Sequence, residues 1–471
     1  MKRRMRRFEA GTMTTIIEGI AERIGHISYA DLPPEAVYWA KAAILDTVGV
    51  TLAGAAEPCT RIVARILGAG AEIGGCLVFG TDRRASPLDA ALINGTAAHA
   101  LDFDDVSNSM GGHPSAPIVP ALFALGEVLD CTGRDFIAAY VAGFETETRI
   151  GRGVNLHHYE KGWHPTATLG VFGAAASCCH LIGLDRAKTA QALAIAASLA
   201  AGIKANFGTM TKPLHVGHTS RNGLFAAMLA REGFTANDAA LEHKQGFLLV
   251  FNGAGNFDTA EILADWGRPY DIVSPGLGIK QHPCCGSTHP AVDAMLALRA
   301  EHDIVPGKVA RIDSRTHPRR LAHTDRPDPQ SGLDAKLSVQ YCLARALLDG
   351  HIVLEHFEGE AFRDPVVRAL MRRVHAAPFP DTQEGGGEPL GAELQITFDN
   401  GRTVAKRVGR ALGRGPDNPL PDDALHAKFA NCAGRALPPA QVERLRRTLS
   451  HLDKAGSLRD VVAAIALPAA R

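Results

Sequence analysis

Two long runs of small residues, ATLGVFGAAASCCHLIGL at 167–184 and AQALAIAASLAAGI at 190–203, constrain the fold more than any other feature of this 471-residue chain. Alanine-rich runs that are apolar all round form helices buried in an interior, where small side chains let backbones approach closely. Around them, from about Thr14 to Phe257, apolar residues recur at helical spacing: Ile16, Ile17, Ile20 and Ile24 make one face, and Val37, Ala40, Ala43, Ile44 and Val48 another. Ser86 is placed to cap a helix beginning at Pro87, with Asp89 in the capping position. After Tyr270 the texture changes. VARIDSRTHP alternates as a strand does, and AELQITFDNGRTVAKRVG reads as two strands joined at Asn400-Gly401, a strong hairpin signal. The helices PAVDAMLALRAEH and DAKLSVQYCLARALLDG lie among these strands, an exposed loop is expected at Thr382–Pro389, and helices return after Pro421.

Acidic and basic residues cancel at 50 each, and no basic stripe interleaved with aromatics follows the N-terminus, which argues against a nucleic-acid partner. The opening MKRRMRRFEAGTMTT is basic but leads into no apolar segment of the kind a secretory signal needs. No apolar run of about twenty residues is read as a membrane span. The nine cysteines include two adjacent pairs, Cys178-Cys179 and Cys284-Cys285, and no CxxC spacing. These features point to a reduced, cytoplasmic protein with neither a disulfide framework nor a zinc site.

The chemistry concentrates in NGTAAHALDFDDVSNSMGGHPSAP, residues 94–117, which holds two histidines and three carboxylates beside a helix end. Counting along that helix, His99 and Asp102 are three apart and are expected to share a face. Histidine stands directly before proline at His113, His164, His282, His289 and His317. Proline favours the first turn of a helix, so these rings are expected near helix N-termini, where free N–H groups attract anions. A small anionic substrate follows.

Five segments in order, AHALDFDDV with GGHPSAPIVPALFALGE, GWHPTATLGVFGAAA, TMTKPLHVGHTSRNGLFAAMLAREGFT, GIKQHPCCGSTHPAVDA and KLSVQYCLARALLDG, resemble the MmgE/PrpD family over roughly residues 14–455. That family includes 2-methylcitrate dehydratase, cis-aconitate decarboxylase and iminodisuccinate epimerase, which act on small polycarboxylates without a metal or organic cofactor. The resemblance implies a mainly α fold: a large all-helical domain, a smaller α+β lid domain, a site in the cleft between them, and a homodimer. Applied to this chain, it gives a basic extension over 1–13 expected to be disordered, the helical domain over 14–270, the lid over 271–410, and a segment over 411–471 returning to the helical domain.

Abstracting a proton next to a carboxylate places two negative charges on one group, so cations must sit on the substrate carboxylates. Lys212 and Lys280 match lysines of the family's site and are expected to bind the carboxylates and stabilise the enolate-like transition state. Asp102 and His113 match its polar residues and form the expected acid/base pair. His164 is a carboxylate ligand or second proton carrier, or else a core residue beside Trp163. His99 is a weaker substrate ligand; with Asp104 and Asp105 it is expected to orient Asp102.

Where the family's decarboxylases carry a histidine five residues after the second lysine, this chain has Cys285, a substrate-site thiol or a buried structural one. Where they carry threonine after DFDD, it has Val106. Both departures put dehydration of a 2-methylcitrate-like hydroxy acid first, with epimerisation of an iminodisuccinate-like dicarboxylate as the alternative and decarboxylation behind. Two further classes compete: a divalent-metal enzyme using His99, Asp102, Asp104, Asp105 and His113, and a silent binding protein on the same fold.

Overall fold

The computed structural model describes residues 14–68, 75–154, 156–380 and 391–467. The N-terminal extension and the loop expected at Thr382–Pro389 lie outside the described residues.

The helical body is built on eight main helices: α1 (Ile16–Gly25), α2 (Pro34–Gly54), α3 (Pro87–Ala100), α4 (Ser115–Leu129), α5 (Gly133–Val154), α6 (Gly170–Ile182), α7 (Arg186–Leu199) and α8 (Thr211–Arg231). The start of α3 follows from its sequence, since the Ser86 hydroxyl accepts from the Asp89 N–H and Pro87 occupies the first helical position. The small-residue runs become α6 and α7, and α6 packs against α4, α5 and α8. Helices α3 and α8 cross closely: a Cβ added to Gly217 would lie 2.2 Å from Thr96 Oγ1 and 2.3 Å from the Leu92 carbonyl oxygen. This crossing positions the site, because α3 ends at the acidic loop and α8 begins with Lys212.

Two helices, Pro34–Gly54 and Pro165–Ile182, are long and apolar enough to cross a membrane, contrary to the reading that no such run exists. They are 78% and 83% buried inside the protein, as core helices are. All nine cysteines are free thiols.

The second domain packs α9 (His289–Glu301) and α10 (Val339–Asp349), with α11 (Pro365–Met371) against α10, onto a four-stranded sheet of β1 (Val309–Thr316), β2 (Val374–Pro378), β3 (Ala392–Phe398) and β4 (Thr403–Val408). The spatial order is β2-β1-β3-β4; β1 and β2 run parallel, and the other neighbours are antiparallel. The β3–β4 hairpin turns at Asn400-Gly401, with Gly401 at φ 80°. Along β3 every second residue is buried, matching its alternating sequence. The core of this domain runs from Cys284 to Phe398. The core of the helical body runs from Ile17 to Ile279 and takes in Leu420–Ile465, so α12 (Asp422–Ala433), α13 (Pro439–Ser450) and α14 (Leu458–Ile465) complete the first domain. Helix α12 lies on α2. Lys280 therefore stands where the chain crosses from one core to the other.

Candidate active site

Helix α3 stops at Ala100, and Asp102 takes the left-handed conformation at φ 52°. Aspartate tolerates this conformation better than most residues, and it is a common way to end a helix. The turn breaks the face that His99 and Asp102 were expected to share. His99 Nδ1 instead meets Asp104 Oδ2 at 2.7 Å.

Three successive carbonyls at this helix end are each capped by a lysine from elsewhere in the chain. Lys336 donates to Leu101 O, Lys280 to Asp102 O at 2.5 Å, and Lys428 to Phe103 O at 2.8 Å. Carbonyls at a helix C-terminus lack helical partners and attract cations. Lys428 also pairs with buried Asp46 at 2.7 Å and lies 4.0 Å above the Phe103 ring. Burial lowers Lys336 to about 8, with Asp102 opposing, so it remains mostly charged at neutral pH.

The Asp102 carboxylate points between two lysines and His113. Oδ1 lies 2.9 Å from Lys280 Nζ, 3.1 Å from Lys212 Nζ and 3.6 Å from His113 Nε2. Burial alone would raise its pKa, but Lys212 and then Lys280 outweigh burial and hold it well below the carboxylate range. Asp102 is thus ionised and a weak base. Burial opposes the charge of Lys280, yet Asp102 and Asp104 raise its pKa, so it stays an ammonium ion.

His113 bridges the carboxylates, with Nδ1 3.2 Å from Asp104 Oδ2, and 13% of its side chain remains exposed. Asp104 is likewise ionised: burial is outweighed by His113 and His99. His99 is different. Burial lowers it to about 4 despite Asp104, so the ring is neutral near pH 7. Fully enclosed and bonded to Asp104, it serves that carboxylate and does not reach toward solvent as a substrate ligand would. His164 is also held neutral, chiefly by burial and then by His99 and Lys212; its Nδ1 meets His215 Nδ1 at 3.2 Å, and its ring packs edge-on to Phe207. A neutral ring can donate or accept one proton, but it is not a cationic carboxylate anchor.

Asp105 turns away from the site. Its carboxyl takes hydrogen bonds from the Ser115 N–H at 3.2 Å and the Ser115 hydroxyl at 2.5 Å, and that hydroxyl touches Tyr140 OH at 2.6 Å. Burial raises it to about 8, against the pull of Ser115. Of the five residues weighed as a metal set, only His99, Asp104 and His113 bring ligand atoms within 4.8 Å of one another; Asp102 is taken by lysines and Asp105 by Ser115.

Cys285 is partly buried, beside His323. Burial raises the thiol, but the hydrogen bond and charge of His323 bring it down to about 6. His323 Nε2 also meets Ser287 Oγ at 3.0 Å. Sequence reasoning missed His323, His215, Lys336 and Lys428; of these, His215 stood in the recognised segment TMTKPLHVGHTSRNGLFAAMLAREGFT and Lys336 in KLSVQYCLARALLDG.

The histidine–proline pairs divide. His164 and His317 cap the helices that begin at Pro165 and Pro318, and His289 is the first residue of α9. His113 stands two residues before α4, and no helix follows His282-Pro283.

Sequence comparison supplies a framework for this geometry. The family profile of the MmgE/PrpD N-terminal domain matches residues 18–260, and that of the MmgE/PrpD C-terminal domain matches residues 282–454. A cis-aconitate decarboxylase from Homo sapiens is 29% identical, over 94% of this chain and 92% of its own. A cis-aconitate decarboxylase-like protein from Aspergillus oryzae is 28% identical, over 93% and 94%. A 2-methylcitrate dehydratase from Cupriavidus necator is 24% identical, over 86% and 87%. With two ordered domain matches that together cover most of its length, this chain belongs to the MmgE/PrpD family.

Proposed function

We propose that the protein is a lyase that works on a small tricarboxylate by stabilising negative charge on a carbon next to a carboxylate, without a metal or organic cofactor. One observation carries the reading: a single carboxylate, that of Asp102, is held between two buried ammonium groups, with His113 alongside. Lysines that hold this carboxylate offer the same chemistry to one on a substrate. In the proposed mechanism Lys212 and Lys280 bind a substrate carboxylate and offset the charge that develops on the carbon beside it. Asp102 keeps both ammonium groups charged and aimed. His113, the most exposed ring of the group, carries the proton, and Asp104 orients it.

Decarboxylation of a cis-aconitate-like substrate is the first choice. The C–C bond to one carboxylate breaks, carbon dioxide leaves, and the electron pair left on carbon takes a proton from His113. The weight moves here from dehydration because the decarboxylase relatives are 28–29% identical over more than nine-tenths of the chain, against 24% over 86% for the dehydratase. Dehydration stands second, favoured by Cys285 and Val106.

Proton NMR of chelator-treated protein in heavy water, with cis-aconitate, 2-methylcitrate, citrate and iminodisuccinate in turn, tests the reading. Carbon dioxide with one deuterium gained on carbon is the expected result. An alkene from a hydroxy acid would make it a dehydratase, exchange with inversion an epimerase, and no reaction on any of the four would refute the tricarboxylate assignment.

A further inference from the structure

Beside Lys280 the structure places a second cation that the proposed chemistry does not use. Arg414 lies on the segment returning from the second domain, and its backbone pairs with Gly278, two residues before Lys280. Its guanidinium covers Gly286, the residue after Cys285. A Cβ added there would lie 3.2 Å from Arg414 Nη1 and 3.3 Å from Cζ, closer than side-chain carbons normally sit. Arg414 Nη1 is shut off from solvent and has no hydrogen-bond partner. Among the described residues Arg414, half-buried as a whole, forms no ion pair.

Its surroundings lead to the site. Burial and then neighbouring Arg320 lower Arg414 to about 10, with Cys285 opposing, so it stays charged at neutral pH. Arg414 and Lys280 both press on buried His289, and Cys285 senses both Asp102 and Lys280. A planar guanidinium whose Nη1 lacks a partner, with a glycine beneath it, matches the forked geometry of a carboxylate.

We propose that Arg414 is a substrate-binding and specificity-determining residue: it takes, in bidentate fashion, a second carboxylate of the substrate whose first carboxylate lies on Lys212 and Lys280. This rests on the polycarboxylate reading above and narrows it to compounds whose carboxylates span both stations. It also gives Gly286 a purpose, since any side chain there would press on the guanidinium.

The test is calorimetric titration of the full-length protein with propane-1,2,3-tricarboxylate, using wild type, Arg414→Met, Arg414→Lys, Arg414→Ala and Lys212→Met. Loss of a charge-assisted pair predicts roughly 10- to 100-fold weaker binding in Arg414→Met. Arg414→Lys should recover only part of the loss because an ammonium lacks the fork, and added guanidinium ion should restore binding to Arg414→Ala. Binding by Arg414→Met within twofold of wild type, with Lys212→Met impaired, would overturn the assignment and leave the lysine site standing. A loss in Arg414→Met that comes with a lowered melting temperature and no guanidinium rescue would make the residue structural and overturn it equally. No binding by wild type would remove the tricarboxylate reading itself.

Discussion

Replacing Lys212 with methionine separates the chemistry of the site from its architecture. At 3.1 Å from Asp102 Oδ1, the ammonium contributes a gross attraction of about 5 kcal/mol at the effective dielectric of partly buried pairs. Much of this is offset by the cost of drawing both charges from water. What reaches the transition state is comparable to other preorganised electrostatic contacts, about 3–4 kcal/mol, or roughly 10²–10³ in kcat. The fold should barely notice. The ion pair with Asp102 is the one polar side-chain contact of Lys212 among the described residues, and Asp102 keeps Lys280 at 2.9 Å, so a stability loss of about 1–2 kcal/mol is expected. Lys280→Met provides the contrast. It removes a lysine from both the carboxylate and the backbone carbonyl of Asp102, leaving the carboxylate with Lys212 alone and the carbonyl without its side-chain donor, and should cost about 3–5 kcal/mol in addition to activity. Substrate turnover followed by NMR, with urea unfolding of each variant, reads both effects. A Lys212→Met protein with kcat within threefold of wild type would refute the electrostatic argument.

Three further outcomes are expected. Gly217→Ala should lower stability by at least about 1–3 kcal/mol and activity with it, because the new methyl group would strike Thr96 and the Leu92 carbonyl and separate α3 from α8; near-normal melting and turnover would show that the crossing is softer than drawn. His99 sits near 4 in the folded protein against about 6.5 unfolded, so the unfolded chain binds its proton first; the stability this gives is complete above about pH 6.5 and drains away as pH falls toward 4. His99→Gln should flatten that stretch of the melting-temperature profile, and an unchanged profile would remove His99 as its source. Extended chelation should leave turnover intact, whereas loss restored by one divalent ion would assign His99, Asp104 and His113 to a metal.

Local signals in the sequence were legible where the structure obeys local rules. Ser86 and Pro87 start α3, Asn400-Gly401 turns the β3–β4 hairpin, and the alanine-rich runs form interior helices. The meeting of Asp102, His113, Lys212 and Lys280 had no local signature, since 178 residues separate Asp102 from Lys280; family resemblance, not spacing, named them together. The helical count from His99 to Asp102 failed because regular spacing ends with the helix, and the left-handed turn at Asp102 sends His99 to Asp104. Lys336 and Lys428 were invisible for another reason. Lys336 lies in a turn and Lys428 within a helix, neither with a local mark, and the role of each comes from a carbonyl presented by a distant loop. Cys285 and His323 likewise change one another only because the fold brings them together.

The lysines on the carbonyls of Leu101, Asp102 and Phe103 bear on how far this architecture can be taken apart. One comes from the second domain, one from the crossing between cores and one from the C-terminal helices, so the acidic loop is held from three directions by segments that fold around it. Two sequence-defined halves therefore do not amount to two exchangeable modules. A chimera joining this N-terminal half to a foreign partner would inherit Asp102, His113 and Lys212 in full, yet lack the contacts that aim the first of them. For the same reason, change in the second domain or the C-terminal helices is never remote from the chemistry: it acts on the backbone from which the central carboxylate hangs.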